Sequence, residues 1–202
     1  MGVISIANLV SWVKISDNPK NDNETVPTPV VRVGFPWTAV DGNPIYKANI
    51  INGKPTVRFS QGYMSYNFSS TSFRTLFFVG NSSVTGDWNF FMGNSNNWHG
   101  GTTNWATSSY ASSSWYGAAT YRNGVSMGSA GSVARTSTNY IWTFQLGGNL
   151  SATYFCRGNQ SGRNLVGDMA EFIGFSSVLS DADWNAVLSY LGQEYGYSVT
   201  LK

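Results

Sequence analysis

The stretch GDMAEFIGFSSVLSDADWNAVLSYLGQEYG, residues 167–196, changes its period halfway along. Read with Val166, its first part (VGDMAEFIGFS, 166–176) alternates as a strand does. Met169 and Glu171 fall on one face, Ala170 and Phe172 on the other. The second part (SDADWNAVLSYLGQEYG, 180–196) has the spacing of a helix. Trp184, Val187, Leu188 and Leu191 stand at i, i+3, i+4 and i+7, and Tyr195 extends the stripe. Ser180 suits the cap of the free first-turn N–H groups, and Asp181 and Asp183 suit the positive end of the dipole. Gly196 suits a left-handed stop. Gly192 costs the helix about 1 kcal/mol relative to Ala, so packing must hold it in place.

Upstream, the signals are those of strands. ISIANLVSWVKI (4–15) is rich in β-formers. KPTVRFS (54–60) alternates, with Val57 and Phe59 facing one way and Thr56 and Arg58 the other. RTLFFVGN (74–81) is almost continuously apolar, as in a strand buried on both faces. NFFMGN (89–94) follows. GAATYRNGVSMGS (117–129) carries Asn123-Gly124 between two β-rich arms, the pair that favours positive φ at both turn positions. YIWTFQLGG (140–148) and ATYFCRG (152–158) read as two further strands. Strands at this spacing, with turn residues between them, point to a sandwich rather than alternating α and β units. SDNPKNDNETVPTP (16–29) is polar, with Pro19, Pro27 and Pro29, and reads as a long surface loop within a single domain spanning 1–202. Whether residues 1–45 complete the sandwich or form a docking arm stays open.

Composition agrees. The 202 residues include 8 Trp, 11 Tyr and 12 Phe with only 11% charged residues, the reverse of a disordered chain. Net charge is +2 and no basic run tracks a phosphate backbone, which argues against nucleic acid. No apolar run approaches the roughly 20 residues of a membrane-spanning helix, so no membrane insertion is expected. The N-terminal MGVISIANLVSW has neither a basic start nor a small-residue cleavage site, so no signal peptide is expected. The single cysteine, Cys156, excludes an intrachain disulfide and reads as a small buried hydrophobe in a strand.

The 167–196 stretch resembles the end of bacterial and bacteriophage laminin-G-like domains of the concanavalin A-like lectin–glucanase superfamily. The residues that carry the likeness are Gly167, Ala170, Glu171, Leu179, Ser180, Tyr190, Leu191, Tyr195 and Gly196. INGKPTVRF (51–59), RTLFFVG (74–80) and YRNGVSMGS (121–129) are similar to an early strand, a core strand and a hairpin of that family. The likeness covers residues 45–200. It implies an all-β fold, a concanavalin-like jelly-roll β-sandwich of two antiparallel sheets with one short C-terminal α-helix over 180–195. It also implies a non-enzymatic bacteriophage virion surface protein: a capsid decoration, head-fibre or tail-associated component. Such a protein is made in the host cytoplasm, assembles as a homo-oligomer with other virion proteins, and can bind bacterial surface glycans for attachment. The alternative is a free-standing carbohydrate-binding, lectin-like module. A glycoside hydrolase is the least supported reading.

The residues bear on chemistry as follows. Glycosidases need two carboxylates flanking one bond, hence two or four positions apart on a strand. Asp168 and Glu171 are three apart and on a regular strand would face opposite ways, and Glu171 reads better as a structural hydrogen-bonding group. His99 is the sole histidine, in a Gly/Asn-rich loop, and no GxSxG elbow exists, so no catalytic residue is expected. No cofactor is expected. Calcium could draw on Asp17, Asp22 and Glu24 with Asn18, Asn21 and Asn23, but the spacing matches no EF-hand and a solvated loop is the better reading. The stretch GDWNFFMGNSNNWHGGTTNWATSSYASSSWY (86–116) is the candidate for recognition. It sets Trp88, Trp98, Trp105, Tyr110, Trp115 and Tyr116 among amides and hydroxyls. Aromatic rings offer faces to the CH groups of sugars, and amides and hydroxyls can bond their OH groups. The same mixture suits protein recognition. Trp88, alternating with Phe90, reads as core. Asn96, Asn97, Trp98, His99, Trp105, Tyr110 and Trp115 are the expected contact residues for a glycan or partner, with Trp98 and Trp105 reading equally as surface or core.

Overall fold

The computed structural model describes residues 6–40, 42–60, 65–83, 89–94, 98–101, 103–109, 111–157 and 165–202. Their strands all pair antiparallel, and one helix follows them near the C-terminus, an all-β sandwich closed by a helix. The main path of pairing runs β10-β9-β11-β6-β12-β1-β2. These strands are β1 (Leu9–Lys14), β2 (Val31–Val33), β6 (Ser65–Gly80), β9 (Ala119–Arg122), β10 (Val125–Ser129), β11 (Tyr140–Phe155) and β12 (Gly167–Phe175). Off this path lie β3 (Thr38–Val40), β4 (Ile45–Ile51), β5 (Lys54–Phe59), β7 (Asn89–Gly93) and β8 (Trp98–Gly101).

The expected strands at 140–148 and 152–158 are one 16-residue strand. A register shift against β6 between Gln145 and Leu150 lets it turn a corner without breaking. One half of β11 pairs with β9, and its other end pairs with β7. The same two long strands therefore contribute to both layers. Between the layers lies an aromatic core of Trp37, Phe59, Phe73, Phe78, Phe91, Trp105, Trp115, Trp142, Phe144, Phe155 and Phe172. On the outer face of the main layer a second cluster, Trp12, Phe77, Val79, Ile141, Ile173 and Phe175, packs under the C-terminal helix (Asp181–Tyr195). The run 74–80 is thus buried on both faces, Leu76 and Phe78 inward and Phe77 and Val79 towards the helix.

The helix matches its sequence signals. The Ser180 side chain accepts from the Asp183 N–H, and Trp184, Val187, Leu188, Leu191 and Tyr195 are buried. Gly196 is left-handed at φ 68°. The hairpin turn also matches, with φ 50° at Asn123 and 85° at Gly124.

Residues 9–40 belong to the sandwich. β1 pairs with β12, β3 pairs with β6, and Trp37 is 1% exposed against Phe68, Tyr66, Phe155 and Phe172. The 16–29 segment is mostly surface, but Val26 plugs the core and its carbonyl accepts from Tyr66 Oη at 2.8 Å. Strands β2, β3, β4 and β8 add to those expected from the sequence, and three of them are only three or four residues long. Cys156 is buried as expected, but it sits just past β11 in a left-handed conformation, φ 61°, rather than within the strand.

The alternation expected in β12 fails at one point. A register shift between Met169 and Glu171 marks a bulge. Met169 and Phe172 share the inner core, whereas Ala170 and Glu171 both face the helix side. Asp168 faces that side too. It bonds Thr56 and Arg58, the face of β5 opposite the core residues Val57 and Phe59. The two carboxylates therefore share a face that a regular strand would have denied them.

Candidate functional site

Glu171 is fully buried against the helix. One carboxylate oxygen accepts from Trp12 Nε1 at 2.6 Å and Tyr190 Oη at 3.0 Å, and the other accepts from Tyr195 Oη at 2.8 Å. Burial pushes its carboxyl up, against the pull of these donors and of Lys14. Asp168 is held by the Arg58 guanidinium at 2.8 and 2.9 Å. Both groups are engaged by protein donors. The acidic residues of the first loop also go separate ways. Asp17 takes the Arg32 fork, Asp22 accepts from the Ala48 N–H at 2.9 Å, and Glu24 accepts from the Asn21 N–H. Among the described residues, no three His, Cys, Asp or Glu side chains come together as a metal would need.

The expected recognition residues divide. Trp105 and Trp115 are fully buried, which corrects the expectation that they contact a ligand. Trp115 stacks on Phe91 with ring centroids 5.4 Å apart and donates Nε1–H to the Trp105 carbonyl at 2.9 Å. Trp105 meets Trp142 and Phe144 edge-on. The reason is long-range backbone pairing. Trp105 N–H bonds the Val133 carbonyl and Ala106 N–H the Ala130 carbonyl, each at 3.0 Å, and this turns the tryptophan ring into the core. Trp98 and His99 lie in β8, opposite Gly93 and Met92, with side chains outside the described residues. Asn96, Asn97 and Tyr110 are outside them altogether, as is Trp88.

What does reach the surface is Tyr116. A single helical turn (Ser113–Tyr116) is capped by Ser112, whose side chain accepts from the Trp115 N–H. Successive residues of such a turn point about 100° apart, so Trp115 goes inward and Tyr116, 40% exposed, goes outward. The Tyr116 ring lies on Gly131, where a Cβ would come within 2.3 Å of it. Beside the ring opens a groove of about 280 Å³ lined by Thr103, Asn104, Ala106, Thr107, Ser108, Tyr116 and Gly131. Its floor is stiff. Asn104 donates its side-chain amide to the Gly131 carbonyl at 2.7 Å, and Gly131 N–H bonds the Tyr116 carbonyl at 3.0 Å. Among the described residues every one that lines the groove is uncharged, and three of them carry hydroxyl groups from Thr or Ser. Tyr116, Asn104, Thr103, Thr107 and Ser108 were within reach of the sequence only as part of an aromatic and polar stretch. The one finer signal was a Ser cap two residues before Ser114-Trp115, which splits the directions of Trp115 and Tyr116. No protein-family model, no curated protein and no solved structure matches this chain.

Proposed function

We propose that this domain is a non-enzymatic glycan-recognition module, and that the Tyr116 groove binds an uncharged sugar ring. The setting implied by the sequence resemblance is the surface of a bacteriophage particle, with bacterial surface glycan as the partner. The observation that carries the reading is the groove itself: an exposed aromatic ring beside hydroxyl and amide groups on a hydrogen-bonded backbone floor. A sugar ring presents CH groups to the tyrosine and OH groups to Asn104, Thr103, Thr107 and Ser108. Small concave sites with a few placed polar groups are the usual form of such recognition. The non-enzymatic part is supported by the engagement of Asp168 and Glu171 with protein donors, away from the residues that line the groove.

The test is binding of the purified protein to an array of bacterial surface polysaccharides, with Tyr116→Ala and Gly131→Ala alongside. We expect retention of a neutral glycan by the wild type and its loss in both variants. The first removes the ring and the second displaces it. Melting temperature should stay within about 2 °C for Tyr116→Ala, as for an exposed side chain. Equal retention by both variants would remove the groove from the account.

A further inference from the structure

A second groove, of about 350 Å³, lies at the other end of the β9–β10 hairpin, where the chain segment 198–200 passes the turn. Its distinctive group is Arg122. The guanidinium sits over the Tyr140 ring, 4.9 Å from the centroid, and Tyr140 is itself braced edge-on by Trp142. Elsewhere arginines find acceptors: Arg32 on Asp17, Arg58 on Asp168, Arg74 on the Leu146 carbonyl and Arg135 on the Gly101 carbonyl. Among the described residues no side-chain or backbone oxygen accepts from the Arg122 guanidinium, which lies over the Tyr140 ring.

The surroundings are built rather than loose. The Asn123 N–H donates to the Ile141 carbonyl at 2.8 Å, its side-chain oxygen accepts from the Ile141 N–H at 2.9 Å, and its carbonyl accepts from the Thr200 N–H at 2.9 Å. Gly124 is required here. Its φ is +85°, and a Cβ would meet the Thr200 carbonyl at 1.9 Å. Around Arg122 the groove offers the apolar edges of Val125 and Val199 and the hydroxyls of Ser198 and Thr200.

We propose that this groove is a second binding site, specific for the carboxylate of an acidic sugar, with Arg122 as the anion-binding residue. A guanidinium fork matches a carboxylate in two parallel hydrogen bonds. Among the described residues Arg122 is the one charged residue lining the groove, which suits a singly charged carboxylate better than a phosphate dianion or an acidic peptide carrying several charges. A pyranose uronate also supplies what the rest of the lining can use: CH groups for Val125 and Val199, hydroxyls for Ser198 and Thr200. The site shares no lining residue with the Tyr116 groove, so the two stand or fall separately.

Amide NMR titration tests the proposal, using methyl glucuronide, its methyl ester and methyl glucoside over the millimolar range. The expected result is saturable shifts at Arg122, Asn123, Val125 and Thr200 with the glucuronide alone. Arg122→Gln should weaken that binding by about tenfold or more, as for loss of a charge-assisted pair. Arg122→Lys should lose most of it too, because the charge stays but the fork goes, and Tyr116→Ala should leave it unchanged. The amide spectrum of each variant reports its fold in the same experiment. Wild-type binding by either Arg122 variant, shifts confined elsewhere, inorganic phosphate binding as tightly as the glucuronide, or no saturable shift at all would each overturn it.

Discussion

The two faces of the main layer solve the same problem with different chemistry. On the inner face Phe91, Trp105, Trp115, Phe144 and Phe155 meet ring against ring, at centroid distances of 4.8 to 5.7 Å. On the outer face the helix is held by apolar packing and also by a polar cluster. Glu171 accepts from Trp12, Tyr190 and Tyr195, and Glu194 pairs with Lys14 and Lys54, each at 2.9 Å. Arg32 lies over the Trp12 ring at 4.6 Å and is itself held by Asp17. Ring packing dominates between the inner layers, with a few side-chain bonds to backbone such as Trp115 Nε1–H to the Trp105 carbonyl, because a sheet already fixes its own register through the backbone. The helix has no such ladder to the sheet. Directional bonds from Tyr190 and Tyr195 to one buried carboxylate tie it to a single place along β12.

The comparison breaks most visibly at the inner face. Trp115→Ala should cost about 3–5 kcal/mol in urea unfolding, the range for truncating a buried large aromatic. A loss below about 1 kcal/mol would mean that the ring does not carry the inner packing.

The outer face should lose somewhat less when its acceptor goes. Glu171→Leu leaves the Trp12 N–H and two tyrosine hydroxyls unanswered in a buried site, and about 3 kcal/mol is expected. Glu171→Gln keeps an acceptor and should cost much less. The pH dependence sharpens the point. Burial raises the Glu171 carboxyl above its ordinary 4.5, so its contribution is fully present below that value and is lost as pH rises through the folded pKa. For Glu194 burial acts upward, but the Lys14 and Lys54 bonds outweigh it and the carboxyl is lowered. Its contribution is present above 4.5 and is lost as pH falls through its folded pKa. Thermal melting from acid to neutral pH should therefore show Glu171→Gln relieving the loss on the alkaline side, and Glu194→Gln relieving it on the acid side. The same profile in both variants would separate the cluster from the stability of the helix face.

The smallest effect concerns Gly192. Helix propensity alone favours Gly192→Ala by about 1 kcal/mol. A Cβ there would meet the Tyr197 carbonyl and Val199 Cγ1 at 3.0 Å, because the chain after the helix folds back over it. We expect a net change within about 0.5 kcal/mol of zero by urea unfolding. A full propensity gain would show that the returning segment yields freely.

Much of this was readable in advance where one local signal decides one local outcome. The stripe Trp184, Val187, Leu188, Leu191, the cap at Ser180 and the stop at Gly196 describe the helix observed. Asn123-Gly124 describes the turn observed. The apolar run 74–80 describes a strand with cover on both faces. The candidate site was legible as a region and not as residues. Aromatic and polar composition marked 86–116, but Trp105 and Trp115 went into the core and Tyr116 took the surface.

By itself the sequence determined the β-rich class, the place and length of the C-terminal helix, and the conformation of the hairpin, since each depends on residues within a few positions of one another. Tertiary structure alone decided the rest. It joined residues 140–155 into one strand shared by both layers, and it drew Trp37 into the core from a segment that could have been an arm. Through a bulge it turned Glu171 towards the helix, and through bonds between 104–106 and 130–134 it turned Trp105 inward. In each case the deciding partner lies tens of residues away or more, or depends on one residue's slip in register. A period read along the chain carries no record of either.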